Sequence, residues 1–201
     1  MRLVLATHNL HKVGELRDIL GAALAGIELI AYDGPEPVED GATFEANALI
    51  KARAASAHTG LAALADDSGI CVDALGGAPG IHSARYAGTR DDADNVAKLL
   101  LELGTEANRS AQFVCAAALV IPGEVGIPGE SGATEFVERG TWHGTVLYER
   151  TGANGFGYDP IFQPAGLSVS SAELRAEEKN AISHRKLAFV ALLAARGELL
   201  R

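Results

Sequence analysis

The order in which apolar periodicity changes along the chain constrains its fold more than any other feature. Residues 3–6 form a short apolar run that stops at the polar Thr7, His8 and Asn9, the pattern of a buried strand running into a loop. Leu10, Val13, Leu16, Ile19 and Leu20 then recur at the spacing of one helical face, with Gly21 at its end. Residues 27–32 read as a second strand, and Gly34-Pro35-Glu36-Pro37 as an extended turn, because proline disfavours helix at the residue before it. Thr43 caps a helix over 44–58, with Glu45 well placed in its first turn. Residues 61–66 and 70–75 read as two strands joined at Asp67-Ser68-Gly69, followed by the tight loop Gly76-Gly77-Ala78-Pro79-Gly80.

Farther on, Val96, Leu99, Leu100 and Leu103 share one face of a helix over 91–103 that Gly104 closes. Residues 112–121 are a continuous apolar strand, 122–132 a glycine-rich hairpin loop, and 134–143 and 145–148 two further strands of an antiparallel arrangement. Helical composition returns over 171–179 and 183–196. Strands that alternate with helices early and pair as hairpins late predict an α/β fold with a mixed sheet.

The 201 residues show no repeat and no linker long enough to part domains, so a single domain over 1–201 is expected, within the usual range of roughly 100–200 residues. At 48% hydrophobic and 21% charged, the chain can bury a core and is not disordered. Its 17 Lys and Arg against 26 Asp and Glu leave a net charge of −9. A nucleic-acid backbone would therefore be repelled, whereas a small anion can still be held by a few lysines and a divalent cation. Cys71 and Cys115 each sit inside an apolar stretch, as small buried hydrophobes of a reducing compartment do. The first apolar run is too short for a signal peptide, and no run has the length of a membrane span, so a cytoplasmic protein with no membrane partner is expected.

Thr7-His8-Asn9-Leu10-His11-Lys12 lies where a strand gives way to a helix, so backbone N–H groups, a hydroxyl, an amide and a lysine converge as in an anion site. It is not a Walker A loop, and the glycines at 76–80 lack the spacing of a dinucleotide fingerprint. Asp66 and Asp67 end an apolar strand, where alternation sends them to opposite faces, so only one points into a given cleft. That one can bind Mg²⁺ or take a proton from water, with Glu36, Glu39 or Asp40 supplying a second oxygen. Lys51, mid-helix among alanines, reads by itself as solvated. Gly155-Phe156-Gly157-Tyr158-Asp159-Pro160 combines two aromatics, two glycines and a carboxylate, which suits stacking on a planar base and suits a packed turn equally. In a continuous helix Lys179 and His184 would point apart, about 140° around the axis. If Ser183 caps a new helix, His184 and Arg185 can turn toward the same pocket as Lys179.

Taken together, Thr7-x-Asn9-x-x-Lys12, Thr43-Phe44-x-x-Asn47-Ala48 with Lys51-Ala52, Ala65-Asp66-Asp67-Ser68-Gly69, Gly76-Gly77-x-Pro79-Gly80, Ser83-Ala84-Arg85-Tyr86, Phe156-Gly157-Tyr158-Asp159-Pro160 and Glu178-Lys179-x-x-x-Ser183-His184-Arg185 resemble the inosine/xanthosine triphosphate pyrophosphatase family. The motifs occur in the family's order and span nearly the whole chain. The resemblance implies two lobes around a long mixed β-sheet with flanking helices and a substrate cleft between the lobes. It also implies a homodimer and Mg²⁺-dependent release of nucleoside monophosphate and pyrophosphate from purine nucleoside triphosphates.

Carried over at matching positions, Thr7, His8, Asn9, Leu10, His11, Lys12 and the catalytic Lys51 face the triphosphate. Glu39 and Asp67 attend the metal, and Asp67 is also the proton acceptor. Ser68, Phe156, Gly157, Tyr158, Asp159, Lys179, His184 and Arg185 hold the nucleotide. Two features depart from the family pattern: His8 stands where a smaller residue is frequent, and the loop over 122–132 is long. The same residues would also serve a pyrophosphatase for other modified nucleotides or a non-catalytic nucleotide sensor.

Overall fold

A computed structural model describes residues 2–21, 26–123 and 132–196 of the chain. In chain order its elements are β1 (Arg2–Leu5), α1 (Leu10–Leu20), β2 (Glu28–Ala31), α2 (Phe44–Thr59), β3 (Ala62–Val72), α3 (Asp92–Leu103), β4 (Ser110–Ile121), β5 (Thr134–Val146), β6 (Phe162–Pro164), α4 (Ala176–Ile182) and α5 (His184–Arg196). The strands form one mixed sheet in the order β2-β1-β3-β4-β5-β6. β1 runs parallel to both β2 and β3, with Leu3 opposite Leu29 and Ala62, while β6 is antiparallel to β5. Among the described residues no helix is long and apolar enough to cross a membrane.

The chain divides into two compact units, one of Met1–Asp67, Ala116–Gly140 and Leu187–Arg201, the other of Ser68–Cys115 and Thr141–Lys186. In the first, α2 packs against β1. Its inner face is Ala48, Ala52 and Ala55, all fully buried, and β3 opens on the equally buried Ala63, Leu64 and Ala65. Small side chains let backbone layers approach closely. Thr43 caps α2 by accepting from the Ala46 N–H at 3.1 Å, and Gly60 ends it in the left-handed conformation, with φ +67°.

The second unit has its own core of Ile70, Val72, Val96, Leu99, Phe113, Trp142, Val146, Ile161 and Phe162. Asp91 caps α3 through the N–H groups of Ala93 and Asp94, and Gly104 closes it through Leu100. The first two helices and the helix before Gly104 thus form where periodicity and caps predict them.

Two breaks read from the sequence are absent, and one helix read as continuous is interrupted. The expected strands 61–66 and 70–75 are one strand, β3, that runs through Asp67-Ser68-Gly69. Gly69 is not a turn residue: a Cβ there would overlap the Gly80 carbonyl and the Ser83 hydroxyl, so the glycine admits the turn at 80–85 against the strand. Likewise 134–143 and 145–148 merge into β5, where a Cβ at Gly144 would overlap the Gln163 carbonyl and the Phe162 ring. Close approach by another segment gives both glycines their place inside a strand. The single helix expected over 171–179 is instead a short turn at Ser171–Glu173 followed by α4, each started by a glutamate that turns back: Glu173 accepts from the Ser170 N–H at 2.7 Å and Glu178 from the Arg175 N–H at 2.9 Å. Of the glycine-rich loop over 122–132, residues 124–131 lie outside the described residues.

Candidate active site

In the first unit, β1 ends at Leu5 and α1 begins at Leu10, so residues 6–9 form the connection. Thr7 Oγ1 accepts from the Asn9 N–H at 3.2 Å, and Asn9 Oδ1 accepts from the Lys12 N–H at 3.2 Å, which makes Asn9 the helix cap. Leu10 and His11 lie in the first turn of α1. His8 Nε2 is 3.1 Å from the Gly34 carbonyl, and its ring lies 5.5 Å from that of Tyr32, so it packs toward the segment after β2. Lys12 Nζ reaches Asp66 Oδ2 at 3.0 Å.

The adjacent carboxylate has a different partner. Lys51 Nζ lies 3.0 Å from Asp67 Oδ1 and 2.8 Å from Glu39 Oε2. Lys51 is therefore not the solvated mid-helix lysine its neighbours imply, since only 12% of its side chain is exposed. Burial alone would lower the Lys51 pKa, but the charges of Asp67, Asp66 and Glu39 outweigh it and raise the pKa, which keeps the ammonium charged. For Asp67 the balance goes the other way. Burial raises its carboxyl above the usual range against the pull of Lys51 and Lys12, with the Glu39 charge adding to the rise. Asp67 shares Lys51 with Glu39, so the attraction it receives is divided.

Among the described residues no group of three or more His, Cys, Asp or Glu is placed to hold a metal by itself. The convergence of Glu39 and Asp67 on one ammonium nevertheless shows two hard oxygen donors within reach of a single cation. Mg²⁺ is commonly held by one or two carboxylates together with substrate phosphates, so this donor set fits it.

In the second unit, the segment 155–159 is held from every side. Gly155 has φ +74°, and a Cβ there would overlap the Asp159 carboxylate. Asp159 is buried and accepts from the Phe156 N–H at 2.9 Å, the Ser171 hydroxyl at 2.8 Å and Lys179 Nζ at 2.5 Å. The Gly157 N–H donates to Asp92 at 2.7 Å, and the buried Tyr158 hydroxyl donates to the Ser83 carbonyl at 2.9 Å. The half-buried Phe156 ring has the Lys179 ammonium 4.9 Å and the Arg185 guanidinium 5.9 Å from its centre. Arg185, 2% exposed, also donates to Ser68 Oγ at 2.9 Å.

Ser183 resolves the helix that the sequence left open. It ends α4 in an extended conformation, and its hydroxyl accepts from the Lys186 N–H at 3.2 Å, so α5 starts afresh at His184. His184 is buried in an aromatic stack, its ring nearly parallel to those of Phe113 at 4.8 Å and Trp142 at 6.3 Å. An aromatic face flanked by an ammonium and a guanidinium, the latter bonded to the Ser68 hydroxyl, has the chemistry to stack a planar base and donate to its oxygens.

One partner enters the sequence reading without a role and another escapes it. Asn47, present in the motif Thr43-Phe44-x-x-Asn47-Ala48, has its amide beside Asp67, one helical turn before Lys51. Asp92 holds Gly157 across 65 residues, and nothing local marks it.

An α/β fold with paired lysines and carboxylates in one unit and a cation-flanked aromatic in the other fits the class of nucleotide-handling proteins. The chain belongs to the Ham1 family, whose profile matches residues 3–195. It is 54% identical over 196 residues to a dITP/XTP pyrophosphatase of Leifsonia xyli, covering 96% of this chain and 94% of that one. To the dITP/XTP pyrophosphatase of Pseudomonas aeruginosa it is 48% identical over 193 residues, with 95% and 94% covered. The Ham1 protein of Staphylococcus aureus shares the fold with a TM-score of 0.83 at 37% identity, covering 98% of this chain and all of that one.

Proposed function

We propose that this protein hydrolyses triphosphates of deaminated purine nucleosides, those of inosine, deoxyinosine and xanthosine, to the monophosphate and pyrophosphate. The observation that carries the reading is the bridge from Lys51 to both Glu39 and Asp67, beside the Lys12–Asp66 pair, in a chain so similar to dITP/XTP pyrophosphatases. A triphosphate of roughly −4 needs concentrated positive charge, and phosphoryl transfer depends on positioning and charge neutralisation more than on a covalent nucleophile.

Glu39 and Asp67 would hold Mg²⁺, which supplies neutralisation of phosphate charge when bound. Lys12 and Lys51 hold phosphate oxygens, with the hydroxyl of Thr7 and the first turn of α1 oriented by the Asn9 cap. Asp67 takes the proton of the attacking water as the new oxygen–phosphorus bond forms at the α-phosphorus and pyrophosphate departs. A carboxyl whose pKa burial raises is a better proton acceptor than an ordinary aspartate. Phe156 stacks on the base, and Arg185 and Ser68 donate to the 6-carbonyl that hypoxanthine and xanthine carry and adenine lacks. A homodimer in the cytoplasm belongs to the same reading.

The test is product analysis with inosine triphosphate and Mg²⁺. Monophosphate and pyrophosphate are expected. Diphosphate and orthophosphate as primary products would overturn the assignment of the cleaved bond.

A further inference from the structure

Asn47 is 2% exposed on α2, one helical turn before Lys51, so the two side chains leave the same face of the helix. Its amide oxygen accepts from the Gly41 N–H at 2.9 Å, and its amide nitrogen donates to Asp67 Oδ2 at 3.4 Å. The amide has one orientation. A backbone N–H can only donate and an ionised carboxylate can only accept, so a flip would set donor against donor and acceptor against acceptor.

Lys51 repeats the pattern, binding Glu39 on the preceding loop and Asp67 Oδ1 on β3. One helix face thus ties the same two segments together twice, and each tie takes one of the two Asp67 oxygens. The Lys51 tie uses groups that the reaction itself employs. The Asn47 tie ends on a backbone N–H that takes no part in it. The loop is seated without slack at that point: a Cβ on Gly41 would come within 2.7 Å of Asn47 Oδ1 and 2.8 Å of the Ala46 Cβ.

We infer that Asn47 is a positioning residue that fixes Asp67 Oδ2 and, through Gly41, the segment carrying Glu39, so that the two carboxylates keep one spacing. The inference rests on the metal-assisted pyrophosphatase reading above. A neutral amide suits the role. A lysine would add a second cation competing for the carboxylates, and an aspartate would repel Asp67.

The experiment compares wild type, Asn47→Ala, Asn47→Asp and Gly41→Ala. Exchange of the Gly41 amide is followed by NMR in nucleotide-free protein, and hydrolysis of inosine triphosphate is measured across a range of Mg²⁺ concentrations. Outer-shell partners of metal ligands are commonly worth about 10–100-fold, so Asn47→Ala should lower kcat by that factor, raise the half-activating Mg²⁺ concentration and leave KM within about threefold. Its Gly41 amide should exchange at least about tenfold faster, as an opened local bond does. Asn47→Asp keeps the acceptor for Gly41 and should retain slow exchange while losing kcat.

Gly41→Ala, which reaches the contact from the loop side, should reproduce the kcat loss and serves if Asn47→Ala does not fold. Values of kcat and half-activating Mg²⁺ within about twofold of wild type in Asn47→Ala, or in Gly41→Ala, overturn the inference while the pyrophosphatase reading stands. A wild type that releases no pyrophosphate overturns both.

Discussion

Removing the Asp159 carboxylate offers a quantitative test of how the second unit is held. The Asp159 and Lys179 side chains are 3% and 6% exposed, with Nζ and Oδ2 2.5 Å apart. Asp159→Ala would leave the Lys179 ammonium buried without this carboxylate and strip the Phe156 N–H and the Ser171 hydroxyl of an acceptor. Breaking a buried ion pair from one side costs about 3–5 kcal/mol. In a chain of 201 residues each kcal/mol moves Tm by about 2–4 °C, so a fall of about 6–20 °C is expected.

Replacing both partners removes the uncompensated charge. Asp159→Ala/Lys179→Met should therefore be more stable than the sum of the single losses by at least about 1.5 kcal/mol. Urea denaturation of wild type, both single variants and the double variant measures the cycle. Additivity within about 0.5 kcal/mol, or a Tm fall below about 3 °C in Asp159→Ala, would refute the pairing as a source of stability. The same carboxylate seats Phe156, so KM for inosine triphosphate should rise in Asp159→Ala even well below its Tm.

Asp67→Asn should lose about 10²–10⁴-fold or more in kcat, because the amide neither takes a proton nor holds a cation well. Asp66→Asn, which frees Lys12 instead, should lose less, and equal kinetic losses at unchanged Tm would remove the distinction between the two carboxylates. Arg185→Lys keeps a charge but not the guanidinium fork, and should cut the ratio of kcat/KM for inosine triphosphate over ATP by about tenfold or more. An unchanged ratio would take Arg185 out of base reading. Burial, with the nearby Tyr86 and Asp92, raises the Tyr158 pKa above its ordinary value of 10.0. The folded state therefore holds that proton more tightly than the unfolded chain, and the associated stability is complete below that value and lost as pH climbs through the raised pKa. Stability measured from neutral pH up to about 11 should fall less steeply in Tyr158→Phe, and parallel curves would show that Tyr158 does not contribute to the alkaline loss.

What the sequence determines by itself is local in its physics. The helix cap at Thr43 and the glycine stop at Gly104 act over three or four residues, and each lies where its residue type and the flanking periodicity place it. The alternation of apolar runs with helical faces likewise specifies an α/β fold with a mixed sheet, because burial of one face is a property of the segment's own spacing.

Tertiary structure decided the rest. Lys12 meets Asp66 across 54 residues and Lys179 meets Asp159 across 20, and no spacing rule within a strand or helix reaches so far. Lys51 reads as solvated among alanines until the loop of Glu39 and the strand of Asp67 close over it, since a lysine's burial is set by what faces it and not by its neighbours in sequence. Gly69 and Gly144 look like breaks because glycine is the usual turn residue. They stay within strands because the carbonyls of Gly80 and Gln163, brought in from later in the chain, leave no room for a Cβ.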